Sequence, residues 1–201
     1  HYLSAVTHQQ PIESKFSRKL VDNLNAEISL GTVTSVLEAV TWLGYSYLFV
    51  RMRRNPQSYG IDVTEFRDDP QLGQRRRRLI VEAARTLHRS QMIIFNEKTD
   101  ELRAKDVGRI ASQYYVLQTS IEIFNTMMRP QASEADVLKM ISMSGEFDNI
   151  QSRDNEAQEL QRLRSEAVPC EVEESKSTAK DSGDSKEKKI YERQTKTNIL
   201  L

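Results

Sequence analysis

The sequence predicts a mainly α chain that carries one small β-hairpin and ends in a polar, charged tail. Three observations carry that prediction. Apolar residues recur at helical spacing in several successive windows. One pair of short apolar runs is joined by a polar turn. Beyond Pro169 the large apolar side chains run out.

Residues 1–14 are short and mixed, with Pro11 as a breaker. From Phe16 to Leu30, Leu20, Leu24 and Ile28 fall four apart on one helical face, and Gly31 stands where a C-cap glycine belongs. A second helix is expected to start at Ser35-Val36-Leu37-Glu38, which has capping-box spacing. Its stripe is Val36, Val40, Leu43 and Tyr47, widened by Leu48 and Val50. Arg51, Arg53 and Arg54 suit the negative end of the helix dipole, and Asn55-Pro56 ends the helix. Residues 57–69 read as a loop with a short extended piece near Ile61. Asp69-Pro70 then offers an N-cap with Pro at N1, and a third helix runs from Gln71 to Arg89 with Ile80, Ala83, Ala84 and Leu87 inside.

Met92 to Phe95 and a return strand from Leu102 form the hairpin, the one β structure expected. Asp106 caps the next helix, striped by Val107, Ile110, Tyr114 and Leu117. Thr119 starts another, which ends near Met128 before Pro130. Ser133 opens a short helix with Val137, Leu138 and Ile141 on its apolar side. Residues 153–165 read as a polar helix with Leu160 and Leu163 as thin apolar contacts. From Glu171 to Thr197 about half the residues are charged, too polar a mix to offset its ordering entropy. Residues 171–196 therefore read as a disordered insertion. Residues 197–201 return to an apolar pattern, as the start of a further element.

Composition narrows the function classes. The 201 residues hold 29 basic and 29 acidic side chains, a formal charge of zero. Proteins that coat polyanions rely on net positive charge, so that class is excluded. Cys170 is the only cysteine, so no internal disulfide is possible and an oxidising compartment is not indicated. No run approaches the ~20 apolar residues of a membrane helix, and no basic-then-apolar leader opens the chain. The chain begins without Met, and both ends read as cuts in a larger intracellular protein, cytoplasmic or nuclear, with no membrane partner expected.

No phosphate-cradling G-x-x-x-x-G-K-[ST] or G-x-G-x-x-G occurs, nor a G-x-S-x-G elbow or H-E-x-x-H. His1, His8, His88 and Cys170 lack metal-ligand spacing, so no metal site is expected. Asp68-Asp69 reads as a loop ending in a helix cap rather than as a catalytic carboxylate pair. Two features suggest nucleic acid. Arg75, Arg76, Arg77 and Arg78 open the third helix, where arginines commonly meet phosphates. Four consecutive helical residues fan through roughly 300°, however, so they cannot all face one ligand. Solvated or salt-bridging roles compete with direct contact. The aromatic, arginine-rich segment Trp42–Arg54 is the second feature, and its helical spacing reads as core.

Three helices followed by a hairpin is the arrangement of a winged helix, with residues 15–118 as its extent. Several blocks also carry a family resemblance. They are Asp22-Asn23-Leu24-Asn25-Ala26-Glu27-Ile28, the run from Trp42 to Pro56 followed by Tyr59-Gly60-Ile61, Gly108 to Tyr115, and Glu146-Phe147-Asp148-Asn149-Ile150. In this order and spacing they resemble the superkiller-type DExH-box helicases that carry a Sec-type domain. The likeness is greatest to the signal-cointegrator and ribosome-quality-control branch, with the spliceosomal unwinding branch next. It covers residues 1 to about 165 and resumes at Thr197.

The resemblance implies that residues 1–14 leave the second RecA-like motor domain and that residues 119–170 are the first helices of the Sec-type domain. It implies ATP and magnesium for the parent protein, RNA or DNA as its partner, and contacts with its own motor domains and the rest of the Sec-type domain. Ribosome-associated complex subunits are further expected partners. No nucleotide motif lies in this chain, so no catalytic residue and no cofactor are carried over to it. The expected role is a non-catalytic connector whose core is Val36, Val40, Leu43, Tyr47, Ile80, Leu87, Ile110 and Tyr114. A free winged-helix module that holds DNA or RNA through Arg75–Arg78 is one alternative. An interaction scaffold with a phosphorylatable tail (Ser175, Ser177, Ser182, Ser185) is another.

Overall fold

The computed structural model describes Leu3, residues 12–151, 153, 156, 158–160, 162–163 and 193–201. Two compact units divide the chain, residues 1–118 and 119–201.

In the first unit a 3₁₀ turn, Phe16–Lys19, leads into α1 (Leu20–Leu30), which buries Leu20, Leu24 and Ile28 as its periodicity predicts. Gly31 closes it at φ 80°, a left-handed conformation that suits glycine, and its N–H returns to the Ile28 carbonyl. Next come α2 (Val36–Gly44) and α3 (Tyr47–Arg54), two helices where one was expected. Ser46 makes the break. Its hydroxyl donates to the Leu43 carbonyl at 2.6 Å and accepts the Phe49 N–H at 3.3 Å, ending one helix and capping the next. Ser35 caps α2 by accepting the Glu38 N–H, while Glu38 reaches back to Thr34 rather than to Ser35.

Residues 57–69 are not a plain loop. A 3₁₀ turn, Pro56–Tyr59, precedes α4 (Val63–Asp68). The long helix α5 spans Gly73–Arg89 and starts two residues later than expected. Asp69 still caps it, from outside, by accepting the Gln74 N–H at 2.9 Å. Ile80, Ala83, Ala84 and Leu87 are its buried residues, as the stripe requires.

Strands β1 (Ile93–Asn96) and β2 (Glu101–Ala104) pair antiparallel, with Phe95 opposite Leu102. The Ser35 segment adds an isolated antiparallel bridge to Glu101, a third β contact that the sequence did not announce. The Leu102 N–H donates to the Thr34 carbonyl and the Val36 N–H to the Asp100 carbonyl, so the wing is stitched to the start of α2.

Helix α6 (Asp106–Tyr114) corrects the expected core. Its buried residues are Gly108 and Ala111, whereas Ile110 is 54% and Tyr114 67% exposed. A Cβ on Gly108 would lie 2.2 Å from the Met92 carbonyl oxygen, so only glycine permits this approach. At 100° per residue, Ile110 points roughly 200° away from that contact. Tyr47 is the other expected core residue found outside, at 54% exposure, and Val40 is half-buried. The break at Ser46 removes Tyr47 from the α2 stripe, and Leu48 and Met52 take up the burial in α3. Val36, Leu43, Ile80 and Leu87 are fully buried.

Helix α7 (Gln118–Met127) begins at the unit boundary. In the second unit, α8 (Glu134–Ser142) opens with a reciprocal capping box between Ser133 and Asp136. Met140 and Ser142 are its buried residues, while Leu138 and Ile141 are half-buried and Val137 is exposed. Residues 193–200 are helical, and Thr195, Thr197 and Asn198 within them are buried. The expected disordered stretch of 171–196 therefore fails over 193–196. Lys196 binds Glu156 at 2.5 Å, and Arg193 pairs with Asp148, so polar partners hold this segment where apolar content is low. Residues 171–192, Cys170 and the tail serines lie outside the described residues. So does most of the expected motor-exit segment 1–14.

Candidate functional site

The first unit is pinned at both ends. At the incoming end, Ile12-Glu13-Ser14 crosses α3 and the turn after it. Arg51 is 6% exposed and projects from α3 toward Glu13. Its Nη2 donates to Glu13 Oε1 at 2.8 Å and its Nε to Oε2 at 3.2 Å, a forked geometry that fits a carboxylate. Asn55 donates to Oε1 and the Tyr59 hydroxyl to Oε2, both at 2.8 Å. Tyr59 in turn accepts the Ser14 N–H at 2.8 Å. Tyr47, the residue expected in the core, instead donates its hydroxyl to the Ile12 carbonyl at 2.8 Å. The donors from Arg51, then Asn55, then Tyr59 favour the charged carboxylate and pull the Glu13 pKa down to about 2. Burial, followed by the hydrogen bond to Glu13, pushes the Tyr59 hydroxyl up.

At the outgoing end, Gln118 is buried. Its backbone N–H donates to Asp22 Oδ1 of α1 at 2.8 Å, and its side chain donates to Ser90 Oγ at 2.6 Å. The chain therefore leaves the unit through a residue held by α1 and by the end of α5. Asn25 braces the same region by donating to the Gly108 carbonyl at 2.9 Å.

The four arginines of α5 do not converge. Arg75 Nη2 donates to the Tyr59 carbonyl at 3.1 Å, and Arg76 Nη1 to the Val40 carbonyl at 3.0 Å. The Arg76 guanidinium also lies 4.6 Å from the Phe49 ring centre. Arg77 pairs with Asp100 at 2.8 Å, and Arg78 faces Glu65 at 3.8 Å. Each side chain thus addresses a different neighbour, as the fan of consecutive helical positions requires. A grip by all four on one strand is not what this geometry offers.

Among the described residues no group of three or more His, Cys, Asp or Glu is placed to hold a metal. No helix among the described residues is long and apolar enough to cross a membrane. Among the described residues neither a phosphate-cradling loop nor a cluster of carboxylate ligands that would hold ATP or magnesium is formed.

The winged helix-turn-helix domain family of the SNRNP200 type matches residues 13–96, and the Sec63 Brl domain family matches residues 104–201. The Saccharomyces cerevisiae RQC trigger complex helicase SLH1 is 60% identical over 172 residues, covering 86% of this chain and 9% of that relative. Activating signal cointegrator 1 complex subunit 3 of Homo sapiens is 47% identical over 165 residues, covering 82% and 8%. The chain belongs to the superkiller-type DExH-box helicase family. The Arabidopsis thaliana helicase DExH14 is 44% identical over 172 residues, covering 86% of this chain and 8% of the relative. The chain thus spans under a tenth of the length of these curated relatives. Within this helicase-family segment, the Sec63 match begins at residue 104, whereas α6 packs with the first unit up to residue 118.

Neither anchor is legible from local pattern. Glu13 meets partners 38 to 46 positions away, and Gln118 meets Asp22 across 96. The one local signal is composition: Arg51, Asn55 and Tyr59 recur every four residues, so three polar groups line one side of α3 and its following turn.

Proposed function

We propose that this chain is the non-catalytic connector of an ATP-dependent RNA helicase, joining its motor domains to its Sec-type helical domain. The observation that carries the reading is the double anchoring of the first unit. A connector passes on movement only if the segments on either side of it cannot slip. The four donors on Glu13 hold the incoming chain, and Asp22 with Ser90 holds the outgoing one. Between them, α1, α2 and α5 share a core of fully buried Leu24, Leu43, Ile80 and Leu87. Close-packed interiors have low compressibility and transmit strain. ATP and magnesium belong to the motor of the parent protein, and RNA to the same parent. The Saccharomyces cerevisiae relative, named as a helicase of the RQC trigger complex, supports a role in ribosome-associated quality control; a spliceosomal role is the second reading, favoured by the SNRNP200-type winged-helix match.

The test is Glu13→Ala in the full-length helicase that contains this chain. ATP turnover is expected to persist while duplex unwound per ATP falls. Unchanged coupling in a variant shown to have lost the Glu13–Arg51 pair overturns the reading.

A further inference from the structure

Positive charge in this neutral chain is not spread evenly. Residues 39–61 and 70–81 contain seven arginines and no Asp or Glu. The fold brings the two segments together, because Arg76 of α5 reaches the Val40 carbonyl and the backbone at Gly44. Three of the seven are neutralised: Arg51 by Glu13, Arg77 by Asp100 and Arg78 by Glu65. Among the described residues, Arg53, Arg54, Arg75 and Arg76 face no carboxylate within ion-pair distance.

The same surface is aromatic. Phe49 carries two guanidinium groups, Arg76 at 4.6 Å and Arg53 at 5.7 Å from its ring centre. Tyr45, directly after Gly44 in the α2–α3 elbow, is 87% exposed. Arg53 and Arg54 are exposed as well. Arg76 is held by a carbonyl and a ring, so its charge is fixed in place without being cancelled, and little ordering entropy remains to be lost on binding.

We propose that helix α3 and the α2–α3 elbow before it form a contact surface for single-stranded nucleic acid, with Arg53 and Arg54 at the α3 C-terminus and Arg76 of α5 facing phosphates and Tyr45 of the elbow stacking on a base. Uncancelled guanidinium groups supply the backbone contact, and an exposed ring supplies a sequence-tolerant platform. An acidic peptide would use the cations but would gain little from an isolated exposed tyrosine ring. The site differs from a grip by Arg75–Arg78, since it uses one of those side chains and the elbow opposite. It is also independent of the connector reading, because it is measured without ATP or a motor.

The experiment is fluorescence anisotropy of the full 201-residue chain with a labelled oligouridylate of about 20 nucleotides, longer than a typical single-strand site, over a salt series. Wild type is expected to bind with an affinity that falls as salt rises. Arg53→Glu with Arg54→Glu should weaken binding about tenfold or more and flatten the log–log salt slope by about 1.4, two phosphates at ~0.7 each. Tyr45→Ala should weaken it about fivefold or more through lost stacking while leaving the slope unchanged. All three substituted side chains are exposed, so the variants should stay folded, and Arg53→Gln with Arg54→Gln, which removes the charges without placing anions at the α3 C-terminus, should weaken binding in the same direction. No binding by wild type overturns the proposal. So does binding that the variants leave intact, and so does an oligoglutamate peptide that binds equally well and is indifferent to Tyr45→Ala.

Discussion

Arg51 and Glu13, 38 positions apart in sequence, form a two-point ion pair with contacts of 2.8 and 3.2 Å. Asn55 and Tyr59 complete the shell around the carboxylate. A segment with no secondary structure of its own is thereby fixed to α3. The pair makes the incoming chain part of the winged-helix unit instead of a tether to it.

The depressed Glu13 pKa has a pH consequence. In the unfolded chain the group titrates near its ordinary value of 4.5, and in the folded chain at about 2. The native state holds the charged form, so the stabilisation is fully present above about pH 5 and is lost as pH falls from there toward 2. Thermal melts of wild type and Glu13→Gln should differ most above pH 5 and converge near pH 2. A constant difference across that window would show that the carboxylate charge is not what stabilises the anchor.

The arginine run should divide into packing and surface members. Arg76→Ala removes a charged hydrogen bond and a ring contact at the α2–α5 junction and should cost about 1–3 kcal/mol. Arg78→Ala breaks a long pair of 3.8 Å to the half-buried Glu65 and should cost less, within about 1 kcal/mol. Urea unfolding midpoints of the two variants test this. Equal effects would place both arginines in one role.

The corrected core is equally testable. Leu43→Ala empties a fully buried position and should cost about 2–5 kcal/mol. Ile110→Ala and Tyr114→Ala act on exposed side chains and should each stay within about 0.5 kcal/mol in chemical denaturation. A large loss at Ile110 would mean that α6 packs through the face the apolar stripe first suggested.

Helix α1, the hairpin and the buried face of α5 are legible, because long periodic segments with clear breakers leave few alternatives. The errors have local causes. A stripe from Val36 to Tyr47 looks continuous until Ser46 uses its hydroxyl on both sides of the break. In α6, bulky Ile110 and Tyr114 outweigh Gly108 and Ala111 in any apolar pattern, yet close approach to the Met92 carbonyl demands the small residues. Residues 193–196 looked too polar to order because their contacts are charged and come from residues 148–156. The four arginines were readable as divergent from helix geometry alone. Their individual partners were not, because Tyr59, Val40, Asp100 and Glu65 are set by tertiary structure.

A connector must be held at both ends, and two backbone amides report on that directly. The Ser14 N–H donates to the Tyr59 hydroxyl and the Gln118 N–H to Asp22. Amide hydrogen exchange at these two positions is the measurement to make, in wild type, Glu13→Gln and Asp22→Ala. Both amides should be protected well beyond the unfolded-chain rate in wild type. Glu13→Gln should release Ser14 alone, and Asp22→Ala should release Gln118 alone. Exchange of either amide at the unfolded-chain rate in wild type would contradict the account, because that end of the unit would be free to slip.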